Sequence, residues 1–97
     1  MQLFKRRELR QALQYAAEGG QALFIHKWTG GDDSPKHFRY SQMIGKLFDH
    51  DKKRLIQAAY SLGIHIIKID REDTEYQHID LARTALERAL MRAEKDI

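Results

Sequence analysis

The sequence predicts a small α/β or α+β domain, in which a two- or three-stranded sheet is flanked by three helices. Two short and almost uninterrupted apolar runs, at 21–28 and 64–70, have the composition of strands that are covered on both faces. Three further segments carry apolar residues at spacings of three and four, which is typical of amphipathic helices. Because a strand, a helix and a second strand follow one another, we expect a β-α-β unit with parallel pairing.

The first helix and the first strand are predicted from periodicity and from glycine positions. Residues 2–18 contain an apolar stripe with helical i, i+3, i+4, i+7 spacing, formed by Leu9, Ala12, Leu13 and Ala16. Gly19 and Gly20 follow, as expected at the C-terminus of a helix. Residues 21–28 are apolar and aromatic and have glycines on both sides, which predicts a strand.

Residues 40–48 fit either a short helix or a strand, and Gly45 weakens both interpretations. Two strands alone would leave both edges of the sheet open, with unpaired backbone groups exposed. We therefore expect either a third strand from residues 40–48, which we favour, or strand pairing across a homodimer.

A helix and a strand are predicted next, in the middle of the chain. Residues 50–62 carry an apolar stripe, with Asp49 placed as the N-cap and Gly63 as the glycine that follows the helix. Residues 64–70 are rich in β-branched side chains, which predicts the second strand.

The last predicted element is a long helix. It follows a polar turn at 71–75, and the spacing of Thr74 and Gln77 is that of a capping box at a helix start. The helix is expected to run to about residue 94, with a wide apolar face formed by Ile79, Ala82, Leu86, Ala89, Leu90 and Ala93.

The composition indicates one domain over residues 1–97 and excludes several functional classes. Hydrophobic residues make up 42% of the chain and charged residues 32%, as in globular proteins. There is no Cys, which excludes disulfides, thiol catalysis and thiolate metal sites. No stretch resembles a membrane span and the first residues lack the apolar core of a signal peptide, so we expect a cytoplasmic protein without a membrane partner. Nucleotide-binding and serine-hydrolase fingerprints are absent from the sequence.

Three short motifs give the chain a family resemblance: Ser41-Gln42-Met43-Ile44, Leu62-Gly63-Ile64 and His78-Ile79-Asp80-Leu81. Over residues 22–90 the chain resembles a small bacterial and phage domain family of unknown function. That family has a Ser-His-Met pattern, a Leu-Gly turn after a helix, and a His-Tyr-Asp motif at the start of its last helix. Gln42 stands where the family has His, Ile79 stands where it has Tyr, and the segment 46–53 is longer. The resemblance implies an architecture and a site region rather than a reaction.

Basic residues concentrate in the first half of the chain. Residues 1–48 contain 8 Lys or Arg and 4 Asp or Glu, a net +4, whereas residues 49–97 contain 9 and 10, a net −1. Lys and Arg contact phosphates, and Trp or Tyr stacks on unpaired bases. The candidate nucleic-acid-binding residues are Lys5, Arg6, Arg7 and Arg10 on the first helix, Lys27 and Trp28 at the end of the first strand, and Lys36, Arg39 and Tyr40 near the Gly-rich loop. The alternative is a solvated charged face, with the rings buried in the core.

A divalent-metal site is predicted at Asp70, His78 and Asp80. Asp70 ends a predicted strand, and ligands of open α/β sheets gather at the carboxyl ends of strands. Carboxylates hold Mg²⁺ or Mn²⁺, and His78 would be a ligand or a general base in phosphodiester hydrolysis. The alternative is that Asp80 caps the last helix, Asp70 starts the polar turn and His78 lies on the surface.

Two other clusters have simpler interpretations. Asp49, His50 and Asp51 are adjacent, but residues two apart do not share a helix face, and the helix dipole alone favours acidic residues there. We interpret them as a helix cap. His26 and His65 lie centrally on the two predicted strands, so parallel pairing would make them neighbours and candidate ligands.

The sequence favours a non-catalytic binding or regulatory module that contacts nucleic acid or a protein partner through its basic half. It contains no complete catalytic set, and no cofactor is expected beyond a divalent metal at Asp70, His78 and Asp80. The first alternative is a small metal-dependent hydrolase of the phosphodiester class, with its site at these three residues. The second is a structural module that forms oligomers, such as a homodimer.

Overall fold

A four-stranded mixed sheet forms the centre of the protein. The computed structural model describes residues 1–27 and 43–95. The elements in chain order are β1 (Gln2–Phe4), α1 (Leu9–Ala17), β2 (Ala22–Lys27), β3 (Met43–Phe48), α2 (Lys52–Ser61), β4 (His78–Leu81) and α3 (Arg83–Lys95). The strands lie in the order β1-β2-β3-β4, with β1 parallel to β2 and the other pairs antiparallel. The predicted fold class is confirmed: over residues 1–27 and 43–95, three helices flank a small sheet that contains a β-α-β unit, and the sheet has four strands rather than two or three.

The β-α-β unit lies at the start of the chain and not, as predicted, in its middle. The prediction of one helix over 2–18 is wrong in its first part, because residues 2–4 form β1 and pair with residues 22–24 of β2. Pairing with a distant segment is not visible in local periodicity. The end of α1 is confirmed: Gly19 has a φ of 98°, and its N–H donates to the Ala16 carbonyl.

The third strand is confirmed, and one glycine explains how it is packed. Residues 43–48 form β3, which pairs with β2 along its whole length, from Ala22 opposite Phe48 to Lys27 opposite Met43. A Cβ atom on Gly45 would lie 2.6 Å from Cδ1 of Leu86. Gly45 therefore allows α3 to approach the sheet closely at this point.

The prediction of a strand at 64–70 is wrong. Within the described part of the chain, the only strand-type pairing of this segment is an isolated antiparallel bridge between Asp70 and His78. The sheet edge beside β3 is occupied instead by β4, in which Ile79 and Leu81 face the core. The run 64–70 is apolar in composition, yet Ile66 is 92% exposed.

The prediction of a helix beginning at Thr74 is also wrong, since β4 precedes α3. The Thr74 hydroxyl closes a turn by donating to the Arg71 carbonyl, and Gln77 is buried. Thr74 therefore stabilises a local turn and Gln77 makes a tertiary contact, and the two do not form a capping box. The predicted apolar stripe is correct only within α3, where Leu86, Ala89 and Ala93 are fully buried.

The two faces of the sheet are covered differently. On one face, α2 and α3 enclose the larger core, whose buried residues are Leu23, Leu47, Leu55, Ala59, Leu62, Ile79, Leu81, Leu86, Ala89 and Ala93. On the other face, among the residues that the structure describes, α1 is the one helix that packs against the sheet, through Ala12 and Ala16 against Ala22, Phe24 and Phe48. A single short helix covers less of a four-stranded sheet than two helices do. The second face therefore has room for a cavity beside α1.

The N-cap of α2 is Asp51 and not Asp49. The Asp51 side chain accepts a hydrogen bond from the Arg54 N–H, while Asp49 is fully buried two residues earlier. The end of α2 is as predicted: Gly63 has a φ of 89°, and its N–H donates to the Tyr60 carbonyl. Because Asp51 caps the helix, the Asp49 carboxylate is available for other contacts, which are described with the candidate site.

Candidate metal centre and adjoining cavity

Asp70, His78 and Asp80 converge on one face of the sheet at its β4 edge. His78 and Asp80 are two residues apart on β4, so their side chains point to the same face. The backbone bridge, with N–H to carbonyl distances of 2.8 and 3.0 Å, fixes Asp70 beside His78. His78 Nε2 lies 3.3 Å from Asp80 Oδ1 and 4.0 Å from Asp70 Oδ2. One potential ligand atom from each residue lies within 4.8 Å of the other two.

A hydrogen bond to the backbone orients the His78 imidazole toward the two carboxylates. Nδ1 lies 2.6 Å from the Tyr76 carbonyl oxygen, which can only accept, so Nδ1 carries a proton. In a neutral imidazole, Nε2 then has a free lone pair and no proton. The His78 side chain is 8% exposed, and it contacts the ring of Phe48. The ring is therefore held with its potential ligand atom facing Asp70 and Asp80.

The ionised Asp80 carboxylate is unfavourable in the folded protein without a cation. Burial raises the pKa of Asp80 above its ordinary value, and the hydrogen bond with Asp70 raises it further. A protonated His78 imidazole would oppose this rise, and the positive charge of Lys46, opposite Asp80 on β3, opposes it as well. The folded state thus holds a proton on Asp80 more tightly than the unfolded chain. Stability is therefore lost as the pH rises through the folded-state pKa.

Asp80→Asn is expected to raise the Tm of the metal-free protein at pH 7, because it removes this unfavourable charge. Asp80 is about half exposed, so the rise should be small, about 2–4 °C. It should vanish near pH 3, where the carboxyl is protonated in both states. Thermal unfolding followed by circular dichroism measures the effect, with Glu87→Gln on α3 as the control. A lower Tm for Asp80→Asn at pH 7 would contradict the expectation.

A buried amide holds the turn that leads into the site. Gln77 is 2% exposed, and its Nε2 donates to the Asp49 carbonyl at 2.8 Å. Its Oε1 accepts from the Asp73 N–H at the same distance. Gln77 therefore ties the turn before His78 to the end of β3, which fixes the position of the first residue of β4.

Asp49 is the buried anchor of this region, although it was predicted as a helix cap. Its carboxylate accepts from Arg54 Nε at 2.6 Å and from Arg54 Nη2 at 2.7 Å, a bidentate pair. Gln21 Nε2 and the Asp51 N–H also donate to it. The Asp49-His50-Asp51 run is therefore not a metal cluster, because the Asp49 oxygens are already engaged by protein donors.

A cavity of about 620 Å³ adjoins the Asp70–His78–Asp80 cluster, on the face that α1 only partly covers. It is lined by Leu9, Phe24, His26, Lys46, Phe48, Arg71, Tyr76 and His78. The lining combines aromatic rings with nitrogen groups that can be cationic. Since His78 belongs to both the cluster and the cavity wall, a ligand in the cavity would lie next to the cluster.

Of the predicted nucleic-acid-binding residues, the first four lie together at the start of the chain. Lys5, Arg6 and Arg7 lie in the turn between β1 and α1 rather than on a helix, and Arg10 lies on α1. All four are exposed. Lys27 ends β2, whereas Trp28, Lys36, Arg39 and Tyr40 lie outside the described residues.

The predicted His26–His65 pair is wrong. His26 lies on β2 opposite Ile44 of β3, whereas His65 is exposed in the segment after α2. The pair depended on parallel pairing of 21–28 with 64–70, and β3 occupies that place. His26 instead lines the cavity, and its buried Nε2 has no hydrogen-bond partner among the described residues.

Sequence reasoning missed the cavity residues Lys46, Arg71 and Tyr76. Lys46 lies in the segment 40–48, for which the sequence does not decide between helix and strand. Arg71 and Tyr76 lie in a turn that contains no recognisable functional motif. One signal could have found Lys46: if residues 43–48 form a strand, Lys46 lies on the same face as Ile44 and Phe48, because residues two apart share a face.

Comparison of the chain with protein-family models, with curated proteins and with solved structures found no match. The resemblance to the bacterial and phage family therefore stays a prediction. No helix in the described part of the chain has the length and apolar character needed to cross a membrane.

Proposed function

We propose that the protein binds a divalent cation at Asp70, His78 and Asp80 and uses it to hydrolyse phosphodiesters. The single observation that carries the proposal is the setting of His78 Nε2. This nitrogen is held on a buried ring, has its lone pair directed outward by the Nδ1 hydrogen bond to Tyr76, and faces two carboxylates. A lone pair and two anions repel one another unless a proton or a metal ion lies between them.

The distances suit one ion of the Mg²⁺ or Mn²⁺ size. With metal–ligand bonds of about 2.2 Å, neighbouring ligand atoms lie about 3 Å apart and opposite ones about 4.4 Å apart. The separations of 3.3 and 4.0 Å around His78 Nε2 fall in that interval. Two carboxylates and one imidazole favour Mn²⁺, since it accepts both oxygen and nitrogen ligands. The bond from Nδ1 to a carbonyl is the outer contact that metal-bound histidines commonly make.

The residues around the cavity suit a phosphate ester. Lys46 and Arg71 line it with positive charge, and neither makes an ion pair with any other described residue. Cations at this position would neutralise the phosphodiester and orient it toward the metal. Lys46 lies directly across the sheet from Asp80, so the charge lies next to the proposed metal ligand.

The proposed reaction is attack of water on phosphorus. The bound ion would lower the pKa of its water and polarise a phosphoryl oxygen. The water oxygen forms a bond to phosphorus, and the ester P–O bond breaks. One water proton ends on the leaving oxygen and the other stays with the new phosphomonoester. The products are one alcohol and one phosphomonoester, and no oxidant or further reactant is required.

A non-catalytic nucleic-acid-binding module is the second candidate function. The exposed cations of the turn between β1 and α1 favour it, because Lys5, Arg6 and Arg7 place three positive charges on adjacent residues. This function needs no metal. Binding of a polyanion without cleavage and without a metal requirement would favour it over the hydrolase.

Mn²⁺ binding followed by electron paramagnetic resonance tests the proposed function, because free Mn²⁺ gives a signal that is lost on binding. We expect one bound ion per chain for the unmodified protein and a loss of affinity of at least about tenfold for Asp80→Asn. Glu87→Gln, which removes an exposed carboxylate on α3, should bind as the unmodified protein does. Equal Mn²⁺ affinity for Asp80→Asn and Glu87→Gln would overturn the proposal.

A further inference from the structure

A second groove adjoins the cavity beside the metal cluster and extends along α1. It has a volume of about 800 Å³ and is lined by Arg7, Leu9, Arg10, Gln11, Leu13, Gln14, Ala17, Glu75 and Tyr76. Leu9 and Tyr76 also line the cavity, so the two spaces meet at these side chains. The metal cluster, the cavity and the groove therefore form one continuous surface, with the proposed metal ligands at one end.

The groove carries unneutralised positive charge. Arg7 and Arg10 are exposed, and neither forms an ion pair within residues 1–27 and 43–95. Among the described residues that line the groove, Glu75 is the single acidic one. A surface of this kind binds the phosphates of a chain better than a single small anion, because several charges are spaced along it.

The cavity has the chemistry of a pocket for an aromatic ring with polar edges. Phe24 and Phe48 are almost fully buried beneath it, and Tyr76, 44% exposed, stands at its junction with the groove. His26, Lys46 and Arg71 also line the cavity, so its wall offers nitrogen groups that can donate hydrogen bonds. A nucleobase presents both a flat face for stacking and hydrogen-bonding groups at its edge.

We propose that the substrate of this site is single-stranded nucleic acid, with one base in the cavity and the adjoining phosphates along Arg7 and Arg10. This inference rests on the proposed function for the cleavage step, but the binding step is independent of the metal. An unpaired strand is required because a base in a duplex cannot leave its stack to enter the cavity without an energetic cost. The phosphodiester next to the bound base would then lie at Lys46 and the metal cluster.

The backbone conformation of Arg7 allows a variant that removes its side chain without straining the turn. Arg7 has a φ of 83°, a conformation that favours glycine. Arg7→Gly would keep the turn and remove the whole side chain with its guanidinium, so loss of binding in this variant would not be a consequence of misfolding. Arg10→Ala provides a second test, because alanine favours the helix that carries it.

Fluorescence anisotropy of a labelled mixed-sequence DNA of about 12 nucleotides, measured in EDTA over a range of salt concentrations, tests the inference. We expect single-stranded DNA to bind at least about tenfold more tightly than the same sequence as a duplex. Tyr76→Ala should weaken binding about tenfold through lost stacking. Arg7→Gly and Arg10→Ala should each reduce the slope of log affinity against log salt by about 0.7. The matched control is Lys53→Ala, which removes an exposed charge from α2 and should have no effect.

Three outcomes would overturn the inference. The first is equal affinity for duplex and single strand, and the second is a salt slope for Arg10→Ala equal to that of Lys53→Ala. The third is tight binding of adenosine monophosphate with no gain for the oligonucleotide, which would favour a small phosphate ester as the substrate.

This assay, combined with the measurements of Mn²⁺ binding and of bis(p-nitrophenyl) phosphate cleavage, separates the inference from the proposed function. Oligonucleotide binding in EDTA together with no Mn²⁺ binding would leave the inference in place and remove hydrolysis. Mn²⁺ binding with cleavage of bis(p-nitrophenyl) phosphate, but without oligonucleotide binding, would leave the proposed hydrolysis in place and remove single-stranded nucleic acid as the substrate.

Discussion

Replacing His78 with Gln is expected to lower metal-dependent hydrolysis of bis(p-nitrophenyl) phosphate by at least about 100-fold. The imidazole supplies one of three proposed ligands, and a bound metal contributes several kcal/mol to the stabilisation of the transition state. Gln keeps a polar side chain of moderate length, but its amide cannot reproduce an imidazole that is oriented by the Tyr76 carbonyl. Release of p-nitrophenolate at saturating Mn²⁺ measures the rate.

The control for this prediction separates catalysis from folding. His78 is buried against Phe48, so each variant is first compared by circular dichroism and by its Tm. Asp70→Asn and Asp80→Asn should show losses of similar size, because each removes a carboxylate ligand. A rate for folded His78→Gln within about threefold of that of Glu87→Gln would contradict the expectation.

Arg54→Met is expected to lower the free energy of unfolding by about 3 kcal/mol. The change leaves the fully buried Asp49 carboxylate without the bidentate guanidinium that neutralises it, and an uncompensated buried charge costs about 3–5 kcal/mol. The hydrogen bonds from Gln21 and from the Asp51 N–H to this carboxylate remain, so we expect a loss at the lower end of that interval. Urea unfolding followed by circular dichroism measures it.

Two further variants make the Arg54 prediction specific. Lys53→Met on the preceding exposed residue of α2 should change stability by less than about 0.5 kcal/mol. Adding Asp49→Asn to Arg54→Met should recover part of the loss, because the charge that lacks a partner is then removed. If Arg54→Met were as stable as Lys53→Met, the Asp49–Arg54 pair would not hold the end of β3.

How much of the fold could be read from the sequence depends on the range of the interactions. The ends of α1 and α2 are predicted correctly, because each is decided locally by the glycine that follows the helix. Local signals failed where pairing with a distant segment decides the structure. Residues 2–4 form β1 because β2 lies beside them, and residues 78–81 form β4 because β3 offers an open edge. The apolar run 64–70 satisfied every local criterion for a strand, but it gained only one bridge.

The candidate metal residues were predicted together, but from a different arrangement. The sequence placed Asp70 at a strand end and His78 at a helix start, whereas the structure pairs the two across an antiparallel bridge. The agreement has a physical basis: the turn between them is short, so either arrangement keeps the residues close. The contacts that Asp49 makes with Gln21 and Gln77 could not be predicted, because both partners are 28 residues away in sequence: Gln21 donates to the Asp49 carboxylate, and Gln77 donates to the Asp49 backbone carbonyl.

The most direct test of the metal centre is a crystal structure of the protein grown with Mn²⁺, with anomalous diffraction data collected near the manganese absorption edge. We predict one anomalous peak about 2.2 Å from His78 Nε2 and from one carboxylate oxygen each of Asp70 and Asp80. The peak should be absent from crystals of Asp80→Asn. A structure of the unmodified protein without a peak between these three side chains, or with manganese bound only elsewhere, would contradict the proposed centre.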